Sequence, residues 1–385
     1  MHNRSGTSAN DSLAQAILDA LDITIAILDP SGNIFAVNEA WRRMARNACL
    51  PERLERTGIG MNYLHVCRDA QGISAVEAPE AAAGIEAVLQ GAQSSFLLEY
   101  PCFSPSRQSW YIMHVTPLPD NRGAVVAHVD ITERKHLEQH LQSEIAIAAN
   151  IQAQLLPQTL PQIKGLDIFT YSHQMEQVGG DFYDFFSCTA DPFTFIIADV
   201  SGKGLPAAFL ATIAYTTFRH ITNTLPTIDP QALLAQMNEK LYENLSTAGM
   251  FTTAFTGCYD PDARRLLYAN AGHSPVIYCP QGGPAVLLEA DATGLGILPS
   301  CGCQNNDLLL RPQDVLLAGT DGLNESFNAH GEMFGYKRLL NAVETLAPHS
   351  SHQIGTELLN MISHFTQGER QSDDQTLIVL KGCIE

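Results

Sequence analysis

Four strand-like apolar runs of this chain begin or end on an aspartate, and no other feature limits its fold as much. Asp181 follows Gly179-Gly180 and opens Phe182-Tyr183-Asp184-Phe185-Phe186, while Asp199 closes Phe193-Thr194-Phe195-Ile196-Ile197-Ala198. Asp321 follows Val315-Leu316-Leu317-Ala318-Gly319-Thr320, and Asp373 precedes Asp374-Gln375 and the run Thr376-Leu377-Ile378-Val379-Leu380. A carboxylate at the margin of an apolar core is unfavourable unless something pairs it. Four of them on one edge of a sheet would repel one another unless cations held them together. Clustered carboxylate oxygens suit hard divalent ions, magnesium or manganese. A metal-dependent hydrolase is the leading expectation.

At 385 residues the chain exceeds one ordinary core, so two domains are expected. A hydrophobic content of 45% with 16% charged residues describes a well-packed soluble protein. The formal net charge of -19 opposes binding to nucleic acid or anionic lipid, so neither a nucleic acid nor a membrane is an expected partner. No basic and then apolar leader opens the chain, and no apolar segment is long enough to span a bilayer. The nine cysteines are odd in number and scattered, which fits a reducing cytoplasm. Cys301-Gly302-Cys303 lacks the second pair a zinc site needs.

Residues 12–131 read as strands and short helices. Ile23-Thr24-Ile25-Ala26-Ile27-Leu28 and Ile34-Phe35-Ala36-Val37-Asn38 flank turn chemistry at Asp29-Pro30-Ser31-Gly32-Asn33, and a helical piece runs through Trp41 and Met44. Three more strand runs begin at Phe96, Trp110 and Ala124, the last two joined by a turn at Asp120-Asn121-Arg122-Gly123. This layout, with the closing Asp130-Ile131-Thr132-Glu133-Arg134-Lys135, resembles a PAS sensor domain. The resemblance covers about a third of the chain. It implies an antiparallel five-stranded sheet with helices and leaves the PAS ligand unknown.

Residues 132–157 carry an apolar stripe at Leu137, Leu141, Ile145, Ala148, Ile151 and Leu155, spaced as one face of a helix. Asp130 or Thr132 can cap its start and Pro157 ends it. So narrow a stripe suits a two-helix seam between subunits, hence a homodimer; the alternative is a helix lying on its own domain. The seam is favoured because a helix joining two domains otherwise exposes the stripe. From residue 158 to 385, strand runs alternate with helical stretches at 205–223, 231–245, 336–346 and 352–365. Short turns such as Tyr259-Asp260-Pro261-Asp262-Ala263 point to antiparallel pairing and an α+β fold.

Asp181, Asp199, Asp321 and Asp373 are the candidate catalytic and metal residues. A two-metal site polarises a phosphoryl oxygen and lowers the pKa of water, so no side-chain nucleophile is required. Gly179-Gly180, Gly202 and Gly204 would let backbone approach closely, and the Val200 carbonyl could add an oxygen. The segments Val178-Gly179-Gly180-Asp181-Phe182-Tyr183-Asp184, Ala198-Asp199-Val200-Ser201-Gly202-Lys203-Gly204, Gly319-Thr320-Asp321-Gly322 and Ser372-Asp373-Asp374-Gln375-Thr376 resemble the SpoIIE/RsbU-type serine/threonine phosphatases, related to type 2C protein phosphatases. Asn150-Ile151-Gln152 with Leu155-Leu156-Pro157, Asn270-Ala271-Gly272-His273 and Gly294-Leu295-Gly296 extend the likeness over residues 145–383. The resemblance implies an αββα sandwich of two antiparallel sheets. It also implies two Mn2+ or Mg2+ ions on Asp181, Asp199, the Val200 carbonyl, Asp321 and Asp373, and phosphoserine or phosphothreonine proteins as substrates.

Taken singly, each aspartate also reads as a turn or cap residue. Asp373 is the preferred ligand of its pair, with Asp374 behind it and Asp184 a weaker outer contact. The arginine that holds phosphate in eukaryotic relatives has no counterpart beside Asp181. Lys203 can substitute as a point charge, or be an exposed lysine in a glycine turn. His273 and Asn270 read as structural before they read as site residues. Gly202-Lys203-Gly204 is no P-loop, since no Ser or Thr follows the lysine. The expected function is a cytoplasmic, PAS-regulated phosphatase acting on a phosphorylated anti-sigma-factor antagonist. Its rivals are an inactive adaptor of the same fold and a hydrolase of small phosphate esters.

Overall fold

The computed structural model describes residues 5–47, 58–70, 76–103, 108–187, 192–225 and 227–383. The chain divides after Gln142 into two units. Strands β1 (Thr24–Leu28), β2 (Ile34–Val37), β3 (Phe96–Phe103), β4 (Gln108–Pro117) and β5 (Ala124–Asp130) form one antiparallel sheet in the order β2-β1-β5-β4-β3. The helices are α1 (Ser5–Asp19), α2 (Glu39–Asn47), α3 (Tyr63–Arg68) and α4 (Ala78–Leu89). The β1–β2 turn forms as its residues dictate: the Asp29 carboxylate accepts the Ser31 and Asn33 N–H groups, each at 2.9 Å. On β5, Ala124, Val126 and His128 are buried in alternation, so one sheet face meets Trp41, Ile85 and Val88 from the helices.

Helix α5 (Thr132–Leu155) starts where the Asp130 carboxylate accepts the Thr132 N–H at 2.8 Å. Of the expected stripe, Leu137, Leu141 and Ile151 are exposed, whereas Ile145, Ala148 and Leu155 are partly covered.

In the second unit, β7 (Phe182–Phe186), β8 (Phe193–Val200), β9 (Thr252–Asp260), β10 (Arg265–Ala271) and β13 (Asn306–Leu309) make one antiparallel sheet, ordered β13-β10-β9-β8-β7. The other, ordered β12-β11-β14-β15-β6, holds β6 (Leu166–His173), β11 (Val276–Cys279), β12 (Val286–Leu288), β14 (Val315–Gly319) and β15 (Gln375–Gly382). Helices α6 (Gly204–Thr224) and α7 (Pro230–Ala248) cover the first sheet through Ala211, Phe218, Leu233 and Met237. After the single turn α8 (Asp321–Asn324), helices α9 (Gly335–Leu346) and α10 (Ser351–Thr366) cover the second through Val343, Ile354 and Leu358. Between the sheets lies a core of Tyr183, Phe185, Phe195, Phe255, Leu316 and Ile378.

This is the expected αββα sandwich. Both faces of its inner strands are buried, so β8 has no polar alternation: Phe193, Phe195 and Ile197 face the partner sheet, and Ile196, Ala198 and Val200 face the helices. Each such full burial of a large side chain contributes about 1.5–3 kcal/mol. The Cys301 and Cys303 side chains lie beside each other, their Cα atoms 5.6 Å apart. Among the described residues no helix is long and apolar enough to cross a membrane.

Candidate metal centre

Strand pairing brings the four aspartates together. Phe182 opposes Ala198, so Asp181 at the start of β7 lies beside Asp199 near the end of β8. Gly319 opposes Leu377, so Asp321 just past β14 lies beside Asp373 just before β15. The Thr320 hydroxyl links the two sheets by donating to Asp181 Oδ2 at 2.7 Å, and accepts the Thr376 N–H at 3.0 Å.

The acids share one electrostatic neighbourhood. Burial, then the charges of Asp199 and Asp374, push the Asp181 carboxyl well above the usual range; the residue is 2% exposed. Asp199 is pushed up to about 7 by burial and by Asp321, Asp373 and Asp374, and Asp321 to about 6 by burial and by Asp373. Among the described residues no three acidic, imidazole or thiol side chains converge closely enough to grip an ion as they stand. Asp181 is engaged by Thr320, Asp373 by Lys203 and the Asp374 N–H, and Asp321 by the Gly322 backbone. The Lys203 ammonium lies 3.0 Å from Asp373 Oδ2 and also donates to the Ser372 carbonyl.

Asp374 faces the backbone: its carboxylate accepts the Met175 N–H at 2.7 Å and the Gly180 N–H at 2.8 Å. A Cβ on Gly180 would stand 2.6 Å from the Val200 carbonyl oxygen, so that close approach requires glycine. Asp184 is wholly buried on the helix-facing side of β7, where Arg219 of α6 pairs with it, one donor at 2.6 Å. Asn270 closes a turn, its Oδ1 accepting the His273 N–H at 2.8 Å. Burial lowers His273 to about 4, leaving a neutral ring whose Nδ1 lies 3.0 Å from the Thr253 hydroxyl. Thr253 pairs with Asp199 across β8 and β9, so His273 touches a neighbour of the centre rather than the aspartates themselves.

Three contacts escaped the sequence reading. Thr320 orients Asp181, Arg219 neutralises Asp184, and Gln152 of α5 clamps the Gly179 peptide. Gln152 donates to the Gly179 carbonyl at 2.7 Å and accepts the Gly179 N–H at 3.2 Å. A glutamine recurring within an apolar helical stretch was the available signal for the last.

Residues 189–382 match the family model of stage II sporulation protein E (SpoIIE), and residues 18–136 match a PAS fold model. The chain is 30% identical over 262 residues to phosphoserine phosphatase RsbU of Bacillus subtilis (strain 168), which covers 67% of this chain and 76% of RsbU. It is 24% identical over 241 residues to phosphoserine phosphatase RsbP of the same organism, covering 62% of this chain and 57% of RsbP. The SiaA-PP2C domain of Pseudomonas aeruginosa has the same fold, with a TM-score of 0.57 at 22% identity over 64% of this chain and 98% of that one.

Proposed function

The chain belongs to the SpoIIE family, and from that premise we propose that it is a metal-dependent protein serine/threonine phosphatase of cytoplasmic bacterial signalling. The observation that carries the reading is the meeting of acids from four separate stretches at one edge of the sandwich, where Asp199 feels Asp181, Asp321 and Asp373 together.

The residues fit a divalent pair. The donors are all oxygens, burial and then their mutual charge raise Asp181, Asp199 and Asp321, and Gly180 leaves room against the Val200 carbonyl. Asp181, Asp199, the Val200 carbonyl, Asp321 and Asp373 would hold two Mn2+ or Mg2+ ions. Bound there, such ions polarise a phosphoryl oxygen and make water acidic enough to attack phosphorus. Thr320 fixes the rotamer of Asp181, and Asp374 pins the Met175 and Gly180 peptides that position it. Lys203, half exposed beside Asp373, offers a point charge to an arriving phosphate. The substrate is a phosphoserine or phosphothreonine protein, an anti-sigma-factor antagonist by family likeness. The PAS unit regulates it through α5, whose Gln152 holds the peptide two residues before Asp181.

Dephosphorylation of a phosphoprotein with manganese, with chelator and with Asp199→Ala tests this. Turnover should need the metal and fall at least a thousandfold in the variant. Partner binding without metal-dependent phosphate release would instead identify an adaptor, and faster turnover of nucleotides than of phosphoprotein a small-ester hydrolase.

A further inference from the structure

The first unit encloses a polar group independent of the phosphatase centre. His128 on β5 is 4% exposed. Its Nδ1 lies 2.7 Å from the Tyr100 hydroxyl on β3, and its Nε2 lies 3.1 Å from the Tyr63 hydroxyl on α3. The Trp41 ring packs 5.7 Å from the imidazole. Tyr63, Tyr100 and His128 line a cavity of about 130 Å³ whose other walls include Leu98, Met113 and Glu77. By water-sized units of about 10–15 Å³, that is room for on the order of ten non-hydrogen atoms.

The protons do not balance within the triad. Burial lowers His128 to about 4, so the ring is neutral, with one N–H and one lone pair. Two phenols and one ring N–H make three donor protons, and two contacts consume two of them. In either tautomer one tyrosine donates to the ring, and the other accepts from it with its own O–H left over. The cavity is open on one side and walled by Leu98 and Met113, so that donor is met by water or by an acceptor carried on a bound molecule. Charge narrows the choice. Among the described lining residues there is no Lys or Arg, and Glu77 is acidic, so an anion would enter unpaired and repelled.

We propose that this cavity is a binding site for a small uncharged organic molecule, with a carbonyl oxygen on an apolar body. The oxygen accepts the spare tyrosine proton, and the body lies against Leu98 and Met113.

The test uses the full chain and three probes of similar size, titrated by NMR: acetophenone, benzoate and ethylbenzene. Acetophenone should bind saturably and at least tenfold more tightly than the other two. Absence of saturable acetophenone binding, or benzoate or ethylbenzene binding within tenfold of it, overturns the proposal. Tyr63→Phe and Tyr100→Phe should act unequally: the variant lacking the spare hydroxyl weakens acetophenone about tenfold, and the other changes it less than threefold. Equal effects overturn it. If either variant fails to fold, the nitrogen shifts of His128 in the unaltered chain decide. One neutral tautomer locked from pH 5 to 8 supports the proton count, and a titrating or averaging ring overturns it.

Discussion

At Asp184 the penalty for burying charge falls unequally on two partners. The Asp184 side chain is wholly enclosed, while the Arg219 side chain is 38% exposed. Pairing with Asp184 raises Arg219, yet burial outweighs the same attraction at the acid and pushes Asp184 up to about 6. A carboxyl raised above its unfolded value of about 3.8 stabilises the fold most below that pH, and that contribution is lost as pH climbs through about 6. The loss is at most on the order of 3 kcal/mol. Asp184→Asn should therefore flatten the decline in stability between pH 4 and 7, read from chemical denaturation of variant and unaltered chain side by side. Parallel declines would refute the account. The sequence places Asp184 near the aspartate cluster but hides which way it points. Strand parity puts Tyr183 and Phe185 on the inter-sheet face and Phe182, Asp184 and Phe186 on the helix face. Both faces are apolar here, so no alternation reveals the difference. The link from Thr320 to Asp181 was equally silent, because its partners lie 139 residues apart.

Among the elements that carry none of the aspartates, α5 reaches the centre through the Gly179 peptide. Its two bonds from Gln152 to the Gly179 peptide fix backbone that would otherwise sample several conformations before Asp181. Each bond is worth about 0.5–1.5 kcal/mol net. Gln152→Ala should weaken manganese affinity about tenfold by calorimetry, while turnover at saturating metal stays within twofold. Unchanged affinity would mean that the clamp does not bear on the aspartate. The long helices were legible: the stretch read as 205–223 is Gly204–Thr224, and 352–365 is Ser351–Thr366. Their apolar faces repeat over several turns, and Ser350 with Gln353 forms a capping box at the second. The sequence signals helices α3 and α4 only weakly. The first has only six residues, and the second buries Ala81, Ala82 and Gly84, small side chains that give a weak periodic signal.

For the whole molecule the deciding question is what covers the outer face of α5. Leu137, Leu141, Ile147 and Ile151 are 63%, 54%, 61% and 59% exposed in the single chain. Two of them, Ile147 and Ile151, are spaced i and i+4, as are Leu137 and Leu141, so each pair forms a patch on one side of the helix. We propose that a second copy of the same helix covers these patches, since it matches them in length and chemistry. Burying one leucine contributes about 1.5–3 kcal/mol, and a dimer would bury four from Leu137 and Leu141 alone. Leu137→Glu with Leu141→Glu removes that burial and sets like charges against each other across the seam. The dimer dissociation constant should rise at least a thousandfold in sedimentation equilibrium. If the seam also carries the PAS signal, the monomeric variant should dephosphorylate at the rate of residues 143–385 alone, while the unaltered chain does not. A full chain that is already monomeric at micromolar concentration, or a variant that stays dimeric, would remove the seam from the account and leave the regulation to contacts within one chain.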